Sequence, residues 1–209
     1  DAFICAGIES MSRIPMMGFN PMPNPQLFSD NPNTLMSMGD TAEVVAKKYA
    51  ISRDEQEAFA VNSQQKASKA RENGLFIDEI VPIDGINEDG CIRADTTSAG
   101  LATLKPAFDV AGTVTAGTSS PLTDGASAVL VCSEEYAQQN NMTPLARIIA
   151  VATSGCAPEI MGMGPVGASK KALKRAGLSI DDIDIIELNE AFSSQAIACT
   201  RELGVDPNK

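Results

Sequence analysis

The sequence predicts an α/β fold in which helices pack on a parallel β-sheet. In the last third of the chain, the apolar runs 145–155 and 183–188 are each followed by a helical pattern. Strand–helix alternation of this kind is typical of parallel α/β layers. Ala, Gly, Ser and Met are plentiful and aromatic residues make up only 4% of the chain, a composition that favours close packing of helices on sheets.

The chain opens with an apolar stretch, residues 2–6, which we expect to form a buried strand. Residues 9–37 carry many of the Pro, Met and Asn residues, and this composition predicts a long irregular loop held in place by its Met and Phe side chains. The chain starts inside a strand without an initiator Met, and residues 203–209 indicate a helix end followed by a turn. We therefore expect an internal segment of a larger protein.

Two amphipathic helices are predicted after this loop. In the first, residues 39–50, Asp40 and Glu43 have the spacing of a capping box. Its apolar stripe falls at helical spacing and comprises Ala42, Val45, Ala46 and Tyr49.

The second helix, residues 52–74, begins with the capping-box pair Ser52 and Glu55. It ends at Asn73-Gly74, a favoured left-handed stop. We interpret both helices as scaffold. The apolar run 75–83 predicts a strand and residues 84–91 predict a turn.

The next stretch is rich in small residues. From Leu104 a Pro-anchored loop passes through Gly, Thr and Ser residues into a predicted strand, residues 126–132. Small residues let a backbone come close to another strand or to a ligand, and the pattern does not choose between them. After the predicted strand 145–155, a helix begins at Pro165 and stops at Gly177.

Asn189-Glu190 stands between the predicted strand 183–188 and the last helix. One interpretation is that Asn189 caps the helix, because Asn accepts well from the free N–H groups of a first turn. The other follows from its position, since ligands of layered α/β sheets bind beyond the carboxyl ends of the strands. Both interpretations are compatible with the sequence.

Composition excludes several classes of function. A net charge of −11 with no basic run argues against a nucleic-acid surface. The five cysteines show no ligand spacing, so we expect a reducing compartment and no metal site. No apolar run is long enough for a membrane span, and no signal peptide opens the chain.

The residues do not supply a complete catalytic set. The chain has no His, which excludes Cys-His and Ser-His pairs, and "AGTSSP" is neither a nucleophile elbow nor a phosphate-binding loop. Glu187 and Glu190 could be paired acids, but acids at such positions are more often solvated or capping. What remains is a set of polar donors in a crevice.

Five motifs in order along the chain resemble the thiolase family, the acyl-CoA acetyltransferases, and most closely its branch that degrades 3-ketoacyl-CoA. They are "MGDTAEVVAKKYAISRDEQEAFAVNSQQKA", "LATLKPAF", "GTVTAGTSSPLTDGASAVLV", "IMGMGP" and "ELNEAFSSQA". The resemblance implies an αβαβα layered fold of two similar halves, with a loop domain inserted over the coenzyme A site. It places residues 1–8 and 109–140 at the end of the N-terminal half, 9–108 in the loop domain and 141–209 at the start of the C-terminal half.

The resemblance also implies roles for individual residues. Asn189 would hold a water that, together with a His outside this chain, forms an oxyanion hole for the thioester oxygen. The acylated Cys and the second, proton-transferring Cys of the family also fall outside the chain, and none of the five cysteines present matches them. The positions that match coenzyme A and substrate contacts are Ser120, Ala116, Gly117, Arg93, Phe108, Met38, Met161 and Phe192. A Gly usual after Ser120 is Pro121 here.

The function implied is acyl transfer: cleavage of a 3-ketoacyl-CoA by coenzyme A in fatty acid β-oxidation, or the reverse condensation. Coenzyme A would be a substrate, with no separate cofactor. A homodimer or tetramer, or a β-oxidation complex, would lie in the cytoplasm or in an organellar matrix. The alternative is a non-catalytic protein that keeps the thiolase fold to bind coenzyme A or a partner.

Overall fold

The computed structural model describes residues 1–206, in which two long strands pair to form the sheet. Strand β1 (Ala2–Ser10) runs antiparallel to β2 (Asp124–Cys132), with Ala2 opposite Cys132. The strands predicted at 2–6 and 126–132 are thus confirmed, and both are longer than predicted. The final residues of the turn predicted at the C-terminus, 207–209, lie outside the described residues.

The burial predicted for β1 is wrong for the described chain. Phe3 is 63% exposed, and Ile4 and Ile8 are 79% and 84% exposed. Successive side chains of a strand point to opposite faces, so Phe3 and Ile4 lie on different sides of the sheet. No element among residues 1–206 covers either side.

Seven helices occur in the described residues. Four lie between the two strands: α1 (Pro25–Asp30), α2 (Met38–Lys48), α3 (Arg53–Glu72) and α4 (Ser98–Ala102). Three follow β2: α5 (Glu134–Gln139), α6 (Gly164–Ala176) and α7 (Ser193–Leu203). Short 3₁₀ turns occur at Pro32–Leu35, Ala116–Thr118, Pro158–Met163 and Ile180–Asp182.

The loop predicted at 9–37 is more ordered than its composition indicates, since it contains the end of β1, α1 and a 3₁₀ turn. Most of its Met and Phe side chains are exposed, among them Met16, Met17 and Phe19, so they contribute little to holding it in place. Polar contacts attach its start instead: Ser12 donates from its amide to the carboxylate of Asp124, at 2.9 Å, and from its hydroxyl to the same group.

Helix α2 forms where predicted, but its cap is not the predicted pair Asp40 and Glu43. The N-cap is Ser37, whose hydroxyl accepts from the Asp40 amide at 3.1 Å and donates to the Asp40 carboxylate at 2.7 Å. The Glu43 carboxylate accepts instead from the backbone N–H groups of Thr113 and Val114, at 3.0 and 2.8 Å. Spacing alone could not show that a loop 70 residues away would compete for this carboxylate.

Helix α3 matches its prediction at both ends. Ser52 and Glu55 form the complete capping box, and the helix stops before Gly74, whose φ of +70° is the left-handed conformation expected there.

The strand predicted at 75–83 does not form. Its backbone turns on itself, with Ile80 N donating to Phe76 O at 3.1 Å. The turn predicted next is confirmed, because Asp84 and Gly85 both have positive φ and Ile83 exchanges two hydrogen bonds with Ile86. Apolar alternation predicts a strand only where a partner strand is available, and none of the described residues supplies one here.

The parallel layer predicted for the C-terminal third is not present in the described residues. Segments 145–155 and 183–188 form no strand pair. Two carbonyls of the first segment are bound by α6 side chains instead: Lys171 Nζ donates to Thr153 O at 3.2 Å, and Arg175 donates to Val151 O. Helix α6 itself begins and ends as predicted, with Pro in its first turn and left-handed Gly177 after its end.

The buried core joins α2 to α7 and to the 3₁₀ turn Pro158–Met163. Val45 packs in this core with Met163, Ala198 and Cys199. The hydroxyl of Ser194, fully buried at the start of α7, donates to Ala42 O on α2 at 3.0 Å. Three of the four residues of the predicted α2 stripe are buried, and Tyr49 is partly buried against the same core.

We expect the isolated chain to associate in solution, because both sides of the β1–β2 sheet expose apolar side chains. Light scattering after size exclusion should give a mass above the 21.9 kDa of the monomer. Ile4→Lys, in the middle of the sheet, should reduce association, whereas Val110→Lys on an exposed loop should not. A sharp cooperative melt by a monomer in dilute solution would contradict this prediction.

Candidate functional site

A cleft with a volume of about 610 Å³ lies beside α3. One wall is a face of α3 from Phe59 to Ala70. The other wall is built from two loop segments, 117–121 and 187–190, that are far apart in the sequence. Both segments were singled out from the sequence, whereas α3 was interpreted only as scaffold.

Main-chain pairing holds the two loop segments together. Ser120 N donates to Ala191 O at 2.9 Å, and Ser119 and Phe192 form an isolated antiparallel bridge. A backbone bond between extended segments fixes both their distance and their relative orientation. Ser120 and Asn189, which the sequence placed in one site, therefore line the same cleft.

The loop that carries Ser120 is supported from below by buried polar contacts. Thr115 and Thr118 are buried and close the turn on each other, with Thr115 N donating to Thr118 Oγ1 at 3.0 Å. The two backbone N–H groups just before Thr115 are bound by Glu43, as described above. Loss of that carboxylate would leave both groups without an acceptor, at a cost of about 1–3 kcal/mol each.

Gly117 is required in this loop by packing. A Cβ at this position would overlap the side chains of Leu101 and Leu104, which press on the turn. Those two residues are held in turn by Arg53, whose guanidinium donates to Leu101 O at 3.2 Å and to Leu104 O at 2.6 Å. Arg53 also pairs with Glu57 at 2.6 Å, so α3 positions the loop that faces it.

Phe108 meets Phe192 of the paired segment edge to face. Their ring centroids are 5.9 Å apart and their planes are inclined by 80°, a favourable aromatic geometry. A Cβ at Gly39 would overlap the Phe108 ring, so α2 approaches this pair closely. Met38, the first residue of α2, is next to that contact in the chain.

Asn189 does not cap the last helix, so the first interpretation of this residue is wrong. Helix α7 begins at Ser193, its N-cap is Phe192, and no side chain caps it. Asn189 lies three residues before that cap, exposed to the cleft. Within residues 1–206 its amide makes no hydrogen bond, so it is available to a water or a ligand.

The other predicted contacts do not line the cleft. Arg93 is tied to α3 through its backbone, because its N–H donates to Gln64 Oε1 at 2.7 Å. Ala116 is exposed on the turn before Gly117, and Met161 is exposed in the 3₁₀ turn at the start of α6. The structure thus brings together Ser120, Gly117 and Asn189.

Several cleft residues were missed by the sequence analysis. Ser63 on α3 donates to the Glu190 carboxylate at 2.5 Å, which ties the helix to the opposite wall. Lys66 also lines the cleft, and Cys91 enters it from the loop after α3. A signal was present, since Phe59, Ser63, Lys66 and Ala70 recur at helical spacing and form one stripe on α3.

The described residues offer no nucleophile beside a base. Burial raises the pKa of the Cys199 thiol, which keeps it protonated and packed in the core. No group of three metal-ligating side chains comes together within residues 1–206. No helix in this part of the chain has the length and apolar character needed to cross a membrane.

Two family models match the chain: the thiolase N-terminal domain over residues 1–135 and the thiolase C-terminal domain over 142–209. The chain therefore belongs to the thiolase family, as the sequence motifs indicated. The division into loop domain and two halves within the chain stays a prediction.

Relatives and solved structures agree with this assignment. The chain is 48% identical over 226 residues to a 3-ketoacyl-CoA thiolase of Bacillus subtilis, covering 100% of this chain and 58% of that protein. It is 49% identical over 220 residues to one of Aliivibrio fischeri, covering 98% and 56%. The chain thus spans little more than half the length of these relatives.

Among solved structures, the dimeric peroxisomal thiolase of Saccharomyces cerevisiae matches with a TM-score of 0.93 and 41% identity, over 100% of this chain and 56% of that one. The human mitochondrial 3-ketoacyl-CoA thiolase in complex with CoA matches with a TM-score of 0.88 and 40% identity, over 100% and 57%. The fold is therefore that of the α/β thiolases.

An ion pair between α3 and α7 makes stability depend on pH. Glu55 on α3 accepts from Ser52 N–H and from Arg201 on α7, and these bonds lower its pKa from 4.5 to about 2. A lowered folded-state pKa stabilises the fold above the unfolded value, and this contribution disappears as the pH falls from about 4.5 to about 2. Since the two side chains are 39% and 52% exposed, the contribution should be about 1 kcal/mol or less.

Glu55→Gln keeps the capping geometry but cannot ionise. Its free energy of unfolding should fall below that of the parent chain near neutral pH and approach it in acid. Glu79→Gln, at an exposed carboxylate without an ion pair among the described residues, is the control and should not change the pH profile. Denaturant unfolding at several pH values measures the difference, and a gap that does not narrow in acid would refute the assignment.

Proposed function

We propose that this chain is the coenzyme A-binding part of a degradative thiolase, which cleaves a 3-ketoacyl-CoA with coenzyme A to acetyl-CoA and a shortened acyl-CoA, or runs the reverse condensation. The observation that carries the proposal is the pairing of Ser120 with Ala191. It joins the two loop segments that match the family's substrate contacts, and it does so at the edge of a cleft.

In this proposal Asn189 acts on the thioester oxygen through a water. A neutral amide can donate to a water while it accepts elsewhere, and it adds no charge to the site. The amide is unpaired within residues 1–206 and exposed to the cleft, which suits this role. The nucleophilic Cys, the catalytic His and the second Cys of the thiolase mechanism would come from outside the chain.

Ser120 would bind the pantetheine arm, with Ala116 and Gly117 beside it. Phe108, Phe192, Met38 and Met161 would surround the acyl end. The edge-to-face contact of the two Phe rings supports this, because it brings two apolar side chains together next to the Ser119–Phe192 bridge. Pro121, which stands where a Gly is usual, lines the cleft. The backbone N–H of Ser120 still donates to Ala191 O.

Arg93 would pair with the phosphate groups of coenzyme A, and coenzyme A would enter as a substrate rather than as a cofactor. We further propose a homo-oligomer or a β-oxidation complex in the cytoplasm or an organellar matrix. The peroxisomal thiolase of Saccharomyces cerevisiae is dimeric, which supports the oligomer. A non-catalytic coenzyme A-binding protein with this fold is the alternative, and restoring the missing segments distinguishes the two.

Acetyl-CoA should protect Cys91 from alkylation, because Cys91 lines the cleft and is partly exposed. Acetyl-CoA has no free thiol, so it does not consume the reagent. Peptide mass spectrometry should show that Cys91 is labelled more slowly in proportion to the fraction of chains that have bound acetyl-CoA. The labelling of Cys5 and Cys156, which are exposed outside the cleft, should not change. Ser120→Ala should weaken the protection about fivefold through loss of one hydrogen bond. Equal slowing at all three cysteines, or none, would count against the proposed site.

Asn189 can be tested by replacing the matching segment of the Bacillus subtilis thiolase with this chain. The isolated chain should show no turnover of acetoacetyl-CoA with coenzyme A, and the chimera should be active. Asn189→Ala in the chimera should lower turnover by about 10²- to 10³-fold, as for loss of an oxyanion-hole donor, with little change in KM.

The melting temperature of the Asn189→Ala chimera should not change, because this residue caps no helix. Asn189→Asp should also impair turnover, since it puts a negative charge beside a developing oxyanion. Turnover per acylated site, from active-site titration, is the measurement. An inactive but folded chimera would favour the non-catalytic alternative, and an Asp variant with full turnover would remove the catalytic role of Asn189.

A further inference from the structure

The carboxylate of Glu43, on α2, binds the start of the loop that carries Ser120. Its two oxygens each accept from the N–H of Thr113 at 3.0 Å, and one of them also accepts from the N–H of Val114 at 2.8 Å. None of the ion pairs among the described residues includes Glu43. Hydrogen bonds to an ionised acceptor are about twice as strong as those between neutral groups, so this carboxylate fixes the loop on α2.

Two neighbouring contacts show that the loop fits this carboxylate closely. A Cβ at Gly112 would lie 2.1 Å from Glu43 Oε1, so the absence of a side chain here lets the carboxylate reach the two N–H groups. Gln56, which is fully buried on α3, donates from Nε2 to the hydroxyl of Thr113 at 2.9 Å. The loop is thus held by one polar side chain from each of two helices.

Glu43 and its neighbour Ala42 connect α2 to both loop segments of the cleft. Ala42 O accepts from the hydroxyl of Ser194, at the start of α7, at 3.0 Å. Helix α7 continues the segment that carries Asn189. Consecutive residues of one helix therefore hold the Ser120 loop and the Asn189 segment, which fixes how far apart the two segments lie.

The anchored residues are linked to Ser120 by short polar contacts. Thr115 follows Val114 and is fully buried, and its carbonyl accepts from the Ser119 hydroxyl at 2.7 Å. The turn between Thr115 and Ser119 closes on itself, as described above. Because these bonds stiffen the connection, a shift of the backbone at Val114 would also move Ser120.

We propose that Glu43 is a positioning residue for substrate binding: it sets the place of Ser120 in the cleft, although it does not line the cleft itself. Loss of the carboxylate would leave the N–H groups of Thr113 and Val114 without their acceptor and release the loop from α2. Ser120 would then lose its place against the ligand, whereas Asn189 would keep its support from α7. The inference rests on the proposed function, because that function gives Ser120 its ligand.

The test uses the kinetic constants of the chimera described above, per acylated site. Glu43→Ala should raise KM for acetoacetyl-CoA about fivefold and change kcat less than about twofold, because the loop contributes to binding and not to the chemical step. This is the opposite of the effect expected for Asn189→Ala. Glu43→Gln should restore most of the parent KM, since its amide oxygen can still accept from both N–H groups.

A double variant shows whether Glu43 acts through Ser120. Ser120→Ala alone should raise KM by about the same factor, and adding Glu43→Ala should raise it little further, because both changes remove the same contact with the ligand. Gly112→Ala reaches the same anchor from the loop: its methyl group would displace the Glu43 carboxylate, so KM should rise while α2 keeps its sequence. This variant carries the test if Glu43→Ala does not fold.

Val45→Ala is the matched control, since Val45 is also on α2 but packs in the buried core. It should lower the melting temperature and leave KM unchanged, which separates loss of stability from loss of position. A parent-like KM in Glu43→Ala, or a rise that multiplies with that of Ser120→Ala, would overturn the inference alone. An unchanged KM in Ser120→Ala would remove the proposed role of Ser120 and the inference with it. A folded chimera without activity would overturn the proposed function.

Discussion

The hydrogen bond from Ser120 N to Ala191 O is the contact on which the site depends. It joins two segments separated by about 70 residues, and each of them is supported by its own buried contacts. The Ser120 loop rests on Glu43, on the Thr115–Thr118 turn and on Leu101 and Leu104. Segment 187–192 is anchored by α7, whose first residues are buried against α2.

Helix α3 connects these supports to the cleft. Arg53 near its start holds two carbonyls of the loop below the site, and Glu55 pairs with Arg201 on α7. Further along, Ser63 binds Glu190. Because α3 is one wall of the cleft and contacts the other wall through Ser63 and Glu190, a change in its position would change the width of the cleft. This explains how a helix that contributes no catalytic group can control the shape of the site.

Buried and exposed apolar side chains lie in different parts of the chain. The core around Val45, Met163, Ala198 and Cys199 is small and lies where α2, α7 and the turn before α6 meet. The β1–β2 sheet is regular in its hydrogen bonds but exposed on both sides. Hydrogen bonds therefore hold the sheet together, whereas apolar burial holds the site region together. The two regions differ because other elements pack over the apolar side chains of the site region but not over those of the sheet.

The sequence by itself determined the features that depend on near neighbours along the chain. The capping box of Ser52 and Glu55, the left-handed stops at Gly74 and Gly177 and the Asp84–Gly85 turn follow from local backbone chemistry, and all formed as predicted. The motifs also indicated the family, since a series of short matches in a fixed order is information carried by the sequence alone. Ser120, Gly117 and Asn189 were selected in this way.

Only the tertiary structure decided the features that depend on distant partners. Glu43 binds the loop at 113–114 rather than capping α2, and Asn189 faces a cleft rather than capping α7. The strands predicted at 75–83, 145–155 and 183–188 remained unpaired, because apolar alternation shows that a segment can pair but not that a partner is present. Lys66 and Cys91 entered the site for the same reason: a side chain becomes part of a cleft only when another segment of the chain folds opposite it.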